Sequence, residues 1–202
     1  MRITAPQCLA ITMLARLLPE FQQRWPRVQL EVSVTGRMTD LVADGLDLGL
    51  RIGELADSSL LARRIGSAPF IVCASPRYWS RHGRPEHPRQ LIDHNCLIYL
   101  EMANHDQWAF EQPDGTAIRI PVSGNLRSDD ASLLMRSAIA DQGVMIGPQF
   151  MFAAAMVAGQ LEAVLHAYCR RGIGVYAVYP NSKRVAPKVR AFIDFLAASP
   201  EW

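Results

Sequence analysis

The residues of this chain best suited to chemistry lie where apolar runs stop. Arg51 and Ile52 close the run Asp47–Ile52 (DLGLRI), and a guanidinium there could fork onto a carboxylate. Pro6, Gln7 and Cys8 follow a short strand-like run at 2–5 and open a helical pattern. Their backbone N–H groups and the positive dipole end suit an anion. Thr35 and Gly36 end an alternating run and offer a hydroxyl and close backbone approach. Ser128 and Asp129 open a later helical pattern, and Gly147-Pro148 follow another apolar run. Plainer uses exist for each. Thr35 can simply turn the chain, Arg51 can pair with Asp47 or Glu54 at the surface, and Ser128 can be a helix cap. Asp129 and Asp130 favour a helix start but repel a carboxylate. A ligand carrying an acid together with an amine or hydroxyl reconciles the set.

Other chemistries lack their residues. No G-x-S-x-G and no Walker-type loop occurs. Gly172-x-Gly174-x-x-Ala177 mimics a dinucleotide fingerprint, but no strand pattern precedes it and a strand pattern follows. His82, His87, His94 and His105 lie in or beside a Pro-rich stretch without helical pairing, so they read as solvated or capping groups. Cys8, Cys73, Cys96 and Cys169 are far apart and form no C-x-x-C pair; they read as reduced, buried thiols of a cytosolic protein. No metal and no cofactor is expected. Nor is an enzyme, since no nucleophile–base pair can be drawn.

The elements that must hold these residues alternate. A strand at 2–5 leads through Pro6 into a helix whose stripe is Leu14, Leu17, Leu18 and Phe21, with a kink expected at Pro19 and a stop at Pro26. Val28, Leu30, Val32 and Val34 alternate with polar residues, the period of a half-buried strand. Arg37–Asp44 reads as a short helix, Gly45 as a tight turn, 47–52 as a buried strand, the following stretch as a polar loop, and Phe70–Ala74 as a strand. This β-α-β-α-β order favours a largely parallel sheet. After Ser75 the pattern restarts: a helix at Pro76–Arg81, a surface loop RHGRPEHPRQ, a strand Cys96–Leu100, and a hairpin around Pro113-Asp114-Gly115. A helix Asp130–Asp141 capped by Ser128 or Asp129 comes next. Strands at 143–147, 161–165 and 175–179 and helices at 149–158 and 187–198 complete the chain, the last with Val189, Phe192, Ile193 and Leu196 on one face. The expectation is two α/β lobes with the C-terminal strand and helix returning to the first. Trp25, Tyr78, Trp79 and Trp108 read as core.

Bulk properties fit a packed globular protein. Of 202 residues, 50% are hydrophobic and 20% charged. The 21 Lys+Arg against 19 Asp+Glu leave +2, with no basic cluster to grip a phosphate backbone. There is no apolar run of membrane-spanning length, and Arg16, Pro19 and Glu20 break up the N-terminal segment as a signal peptide.

Several stretches together resemble one family: ITAP at 3–6, LLPEFQQRWPRVQLEVSVTGR at 17–37, DLVADGLDLGLRIGEL at 40–55, LLARRIGSAPFIVCASPRYW at 60–79, LIDHNCLIY at 91–99, GVMIGPQF at 143–150 and VYPNSKRVAPKVRAFIDFL at 178–196. In order and spacing they are similar to the effector-binding domain of LysR-type transcriptional regulators. The resemblance implies two Rossmann-like subdomains joined by two crossover strands, as in type-2 periplasmic binding proteins. Residues 1–72 with 176–202 would form subdomain I and 73–175 subdomain II. It implies a small organic effector, with a carboxylate as the candidate recognition group, held at Pro6, Gln7, Thr35, Gly36, Arg51, Ile52, Ser128, Asp129, Gly147 and Pro148. It also implies a homodimer or tetramer, in which Ile11–Trp25 and Val28–Val34 pack on Ser132–Asp141 of a partner, with Ile11 and Met13 exposed to it. DNA would be reached only through a winged helix-turn-helix that these residues lack, in the cytoplasm and without membrane contact. The alternative is a solute-binding protein of the same fold in transport.

Overall fold

The computed structural model describes residues 1–37, 39–53, 55, 59–169, 172–181 and 185–199. In chain order the elements are β1 (Arg2–Ala5), α1 (Gln7–Leu9), a π-helical turn Ala10–Leu14, α2 (Ala15–Arg24), β2 (Glu31–Val34), β3 (Leu48–Ile52), β4 (Leu61–Ala68), β5 (Phe70–Ala74), α3 (Pro76–His82), a 3-10 turn Pro88–Asp93, β6 (Ile98–Tyr99), β7 (Gln107–Glu111), β8 (Ala117–Pro121), β9 (Arg127–Ser128), α4 (Ala131–Ile139), β10 (Met145–Pro148), α5 (Gln149–Val157), β11 (Glu162–Val164), β12 (Ile173–Tyr179) and α6 (Pro187–Ala197). They form two compact units. The first holds residues 1–68 and the chain from Ile173 onward, and the second holds Pro69–Gly172.

The first unit is built on a five-stranded sheet of order β2-β1-β3-β12-β4. β1 pairs in parallel with β2 and β3, whereas β12 runs antiparallel to both β3 and β4. Four of the five strands therefore share one direction, as expected, and only β12, which enters between β3 and β4 from the far end of the sequence, runs the other way. β3 takes the central place its apolar run demands, with Leu48 and Leu50 fully buried. β2 alternates and lies at an edge. The other edge is β4, in the stretch expected to be a polar loop. Its outer half is exposed and carries Arg63 and Arg64, charges that suit an unpaired edge and hide the strand from pattern reading.

Helices α2 and α6 meet through aromatic rings. Phe21 stacks on Trp25 at 4.7 Å and meets Phe192 edge-on at 4.7 Å. Burying one such side chain contributes roughly 1.5–3 kcal/mol. Leu14, Leu17 and Phe21 are buried as the stripe requires. Pro6 precedes the helix instead of occupying its first turn. Pro19 sits inside α2, where it has no N–H to donate to the Ala15 carbonyl, and the π-helical turn lies just upstream. Met13 is buried, against expectation, while Ile11 is 57% exposed. The described residues of the stretch 37–44 do not form a helix. Asp40 Oδ1 instead accepts from the N–H groups of Val42 and Ala43 (2.9 and 3.1 Å) and sets a single turn at 41–45.

In the second unit β5 lies between β10 and β11, antiparallel to both. β6 pairs with β9 in parallel, and β7 with β8 forms the expected hairpin around Gly115 (φ +86°). Trp79, Trp108, Phe110 and Val144 share one core. The stretch expected to be a surface loop runs into the turn Pro88–Asp93. His87 Nδ1 accepts from Arg89 N (3.1 Å), and Gln90 Oε1 accepts in return from His87 N (2.9 Å). Backbones approach closely at Gly124 and Gly143: an added Cβ would lie 1.8 Å from Cys96 O and 2.3 Å from Asn95 O, respectively.

Candidate functional site

In the first unit, parallel pairing brings the carboxyl ends of β1, β2 and β3 to one edge of the sheet. Ala5 is level with Val34, and Thr35 N donates to Ala5 O at 2.9 Å, so Pro6 and Thr35 are neighbours. Thr4 is level with Gly49, which puts Arg51 level with Pro6 two residues further along. Three segments distant in sequence thus end together, in the place where open α/β sheets present ligand groups.

At the helix start, Pro6 supplies no side-chain cap. Gln7 Oε1 is buried without a hydrogen-bond partner among the described residues. A buried amide oxygen in this state wants a donor, and leaving it unmatched costs about 1–3 kcal/mol. Thr4 Oγ1 on β1 is a second buried oxygen of this kind. Burial pushes the Cys8 thiol up to about 11, against the pull of the Leu9 and Cys8 backbone N–H groups. The thiol is therefore uncharged and no nucleophile at neutral pH.

Thr35 Oγ1 accepts from Arg37 N at 3.2 Å, so it also serves the plainer role of turning the chain. Arg51 departs from the surface-pair expectation. It is not a surface ion pair, since only 7% of it is exposed. Its guanidinium folds back over Gly49, where an added Cβ would come 3.4 Å from Arg51 Cζ. Nη1 donates to Leu50 O (2.9 Å) and Nη2 to Thr39 Oγ1 (3.0 Å). Burial lowers its pKa from the ordinary guanidinium value. The first work of Arg51 is thus to pin the segment after Gly36. Asp47 pairs instead with Lys188 Nζ (3.1 Å); partial burial pushes its carboxyl upward, but the Arg2 N–H and Lys188 hold it below the usual range. Glu54, the other partner weighed for Arg51, lies outside the described residues. Ile52 ends β3 opposite Val175 of β12.

In the second unit the helix cap is Asp130, not Ser128 or Asp129. Asp130 Oδ1 accepts from Ser132 N (2.8 Å) and Leu133 N (3.0 Å), and Ser128 Oγ accepts from Asp130 N (2.9 Å). Ser128 thereby orders the cap from one step behind. Gly147 and Pro148 end β10 opposite Ile71 and Phe70. Phe152 packs on Gly147, where a Cβ would meet its ring at 3.1 Å. Thr39 is the participant that sequence reasoning missed, because nothing in local pattern links it to a residue twelve positions away. Gly174 of the dinucleotide-like stretch lies in β12 under the Tyr176 ring.

A family model described as the LysR substrate binding domain matches residues 1–200. The chain belongs to this family. Its relatives are regulators. It is 34% identical to an HTH-type transcriptional regulator of Xanthomonas campestris over 97% of this chain and 58% of that protein. To the HTH-type transcriptional activator AaeR of Escherichia coli it is 31% identical over 97% of this chain and 63% of that protein. It therefore spans less than two thirds of these curated relatives. Among solved structures, the regulatory domain of CrgA, a LysR-type transcriptional regulator from Neisseria meningitidis, superposes with a TM-score of 0.85 at 27% identity, covering 98% of this chain and 96% of that one. Full-length AphB of Vibrio cholerae does so with a TM-score of 0.82 at 27% identity, covering 97% and 67%. The LysR effector-binding domain fold is that of paired α/β subdomains related to periplasmic binding proteins, and these relatives decide against the transport alternative.

Proposed function

We propose that this chain is the effector-sensing and dimerisation part of a cytoplasmic LysR-type regulator that reaches DNA through a helix-turn-helix of the longer protein. The first unit and the second unit act as regulatory subdomains I and II. The observation that carries the reading is the shared edge where Pro6-Gln7, Thr35-Gly36 and Arg51-Ile52 end, with the unmatched Gln7 oxygen beside a helix start. The N–H groups there suit a carboxylate. Gln7 Oε1 suits a hydroxyl or ammonium on the same molecule. Ser128, Asp129, Gly147 and Pro148 supply the second subdomain's contacts, and Asp129 favours the ammonium or hydroxyl end. Ile11, Val34 and Val42 of the first unit and Leu133 of α4 are large apolar side chains left 48–67% exposed, which supports their use in a homodimer or a tetramer built from it.

The test is thermal shift against small organic acids, each with and without an amino or hydroxyl group. A true effector at 100 times Kd stabilises by about 2.7 kcal/mol. For a chain of this size that is a rise of several degrees, at about 2–4 °C per kcal/mol. The substituted acids should outperform the plain ones, and Gln7→Ala should erase that preference. Equal shifts in Gln7→Ala and the parent, or no hit in a broad panel, would remove the reading. Light scattering that finds a monomer at micromolar concentration would remove the dimer.

A further inference from the structure

Strand ends also gather in the second unit. The segment Asn95–Tyr99 runs between two others. On one side Cys96 N donates to Ser123 O (2.9 Å), Ile98 N to Leu126 O (3.0 Å) and Leu100 N to Ser128 O (2.9 Å), so β6 and β9 belong to one parallel ladder in which Tyr99 is level with Ser128. On the other side Val144 N donates to Asn95 O (2.9 Å) and Leu97 N to Val144 O (2.8 Å), and Cys96 pairs with Val144, again in parallel. Counting three residues on from Cys96 and from Val144 reaches Tyr99 and Gly147. The three carboxyl ends therefore point the same way, and Tyr99 ends the middle strand, with Ser128 on one flank and Gly147 on the other.

Among the described residues, Leu97 N to Val144 O is the last backbone bond between the middle strand and residues 144–147. Beyond it β10 stays paired with β5, so the ends at Tyr99 and Gly147 are not bonded to each other. Carboxyl ends of parallel strands, where neighbours part, are where open α/β sheets present ligand groups. Sequence pattern could not single out Tyr99, because its place depends on two partners distant along the chain.

The side chain is suited to that place. Successive side chains point to opposite faces of a strand. Ile98 belongs to the core with Trp79 and Trp108, so Tyr99 lies on the other face, where it is half-buried. Tyr99 Oη donates to Glu101 Oε2 at 3.1 Å. A phenol has one proton to give. With that proton directed at Glu101, Tyr99 meets a further polar partner as an acceptor.

We propose that Tyr99 is an effector-recognition residue of the second subdomain, and that it selects molecules carrying a hydrogen-bond donor, a hydroxyl or an ammonium, remote from the acid group. The inference rests on the effector-sensing reading above and specifies the donor end of the ligand. Glu101 is a positioning residue, because it acts through the phenol by fixing where the proton points.

The test is calorimetric titration of the intact chain with short-chain ω-hydroxy, ω-amino and ω-methoxy alkanoic acids and with the plain acids. A methoxy oxygen accepts but cannot donate. The hydroxy acids should therefore bind about 2–12-fold more tightly than their methoxy partners, the worth of one neutral hydrogen bond, and the amino acids should share the advantage. Tyr99→Phe keeps the ring and should remove the hydroxy-to-methoxy ratio while leaving the Kd of the plain acid unchanged. Glu101→Gln keeps an acceptor for the phenol and should preserve the ratio. Glu101→Ala releases the phenol proton and should lower or invert the ratio, because the methoxy oxygen then finds a donor. A merely structural role for Tyr99 would move all the affinities together. Equal Kd for hydroxy and methoxy acids, or a ratio that survives Tyr99→Phe, overturns the assignment and leaves the strand-edge site of the first unit standing. Binding by none of the acids overturns it together with the effector-sensing reading.

Discussion

Arg51 and Thr39 should be energetically coupled, and the coupling can be isolated. The guanidinium is 7% exposed and donates at 2.9 Å to Leu50 O and at 3.0 Å to Thr39 Oγ1. Hydrogen bonds from a charged donor contribute about 1.5–3 kcal/mol each. Arg51→Met keeps the apolar stem over Gly49 and removes both bonds. It also removes the desolvation cost that lowers the Arg51 pKa, so the single variant should lose less than the two bonds summed. Thr39→Val keeps the shape and removes one acceptor. The double-mutant cycle subtracts the desolvation and packing changes common to both arms and leaves the Arg51–Thr39 bond. We expect a coupling of about 1.5–3 kcal/mol, read as the shift in urea midpoint at constant slope. Additive variants, with coupling below about 0.5 kcal/mol, would show that the guanidinium does not brace this segment. The same variants should weaken effector binding through Thr35-Gly36, since Thr39 ties the chain that follows them back to β3.

Two further outcomes follow from the second unit. His94 is buried beside Tyr78 and Trp79, with its Nδ1 3.3 Å from Tyr78 Oη, and burial followed by repulsion from His82 lowers its pKa below 6.5, against a smaller upward pull from Asp93. The folded state therefore prefers the neutral ring and the unfolded chain binds more protons, so His94 contributes stability that is complete above about pH 6.5 and is lost as pH falls. His94→Phe should flatten the dependence of melting temperature on pH below 6.5, and an unchanged slope would contradict the assignment. Asp130→Ala should cost about 1 kcal/mol in urea unfolding through loss of the α4 cap, whereas Asp129→Ala should cost less; the reverse order would mean the cap is misassigned.

Much of the fold was legible along the chain because it rests on local periodicity and punctuation. The 3.6-residue spacing of Val189, Phe192, Ile193 and Leu196 defined α6, and all four are buried. The runs Trp108–Phe110 and Ile118–Val122 around Pro113-Asp114-Gly115 read as a hairpin, and residues 107–111 pair with 117–121. Ser75-Pro76 marked the start of α3, where Ser75 Oγ accepts from Tyr78 N at 2.9 Å. What failed was local as well. β4 was hidden because an edge strand carries charges like a loop does, and residues 40–44 gave a turn in place of the end of a helix because Asp40 bound its own following amides.

From its residues alone this chain declares its class, most of its succession of strands and helices, and the apolar faces that must be buried. These are written in spacings of two to four residues, over which side chains share a face whatever the rest of the molecule does. Pairing decided the remainder. The antiparallel entry of β12 between β3 and β4, the retreat of Arg51 onto Thr39 and the unmatched Gln7 oxygen each depend on segments brought together from distant parts of the chain. A side chain's hydrogen-bond partners and burial are properties of that assembled neighbourhood, and no local pattern encodes them.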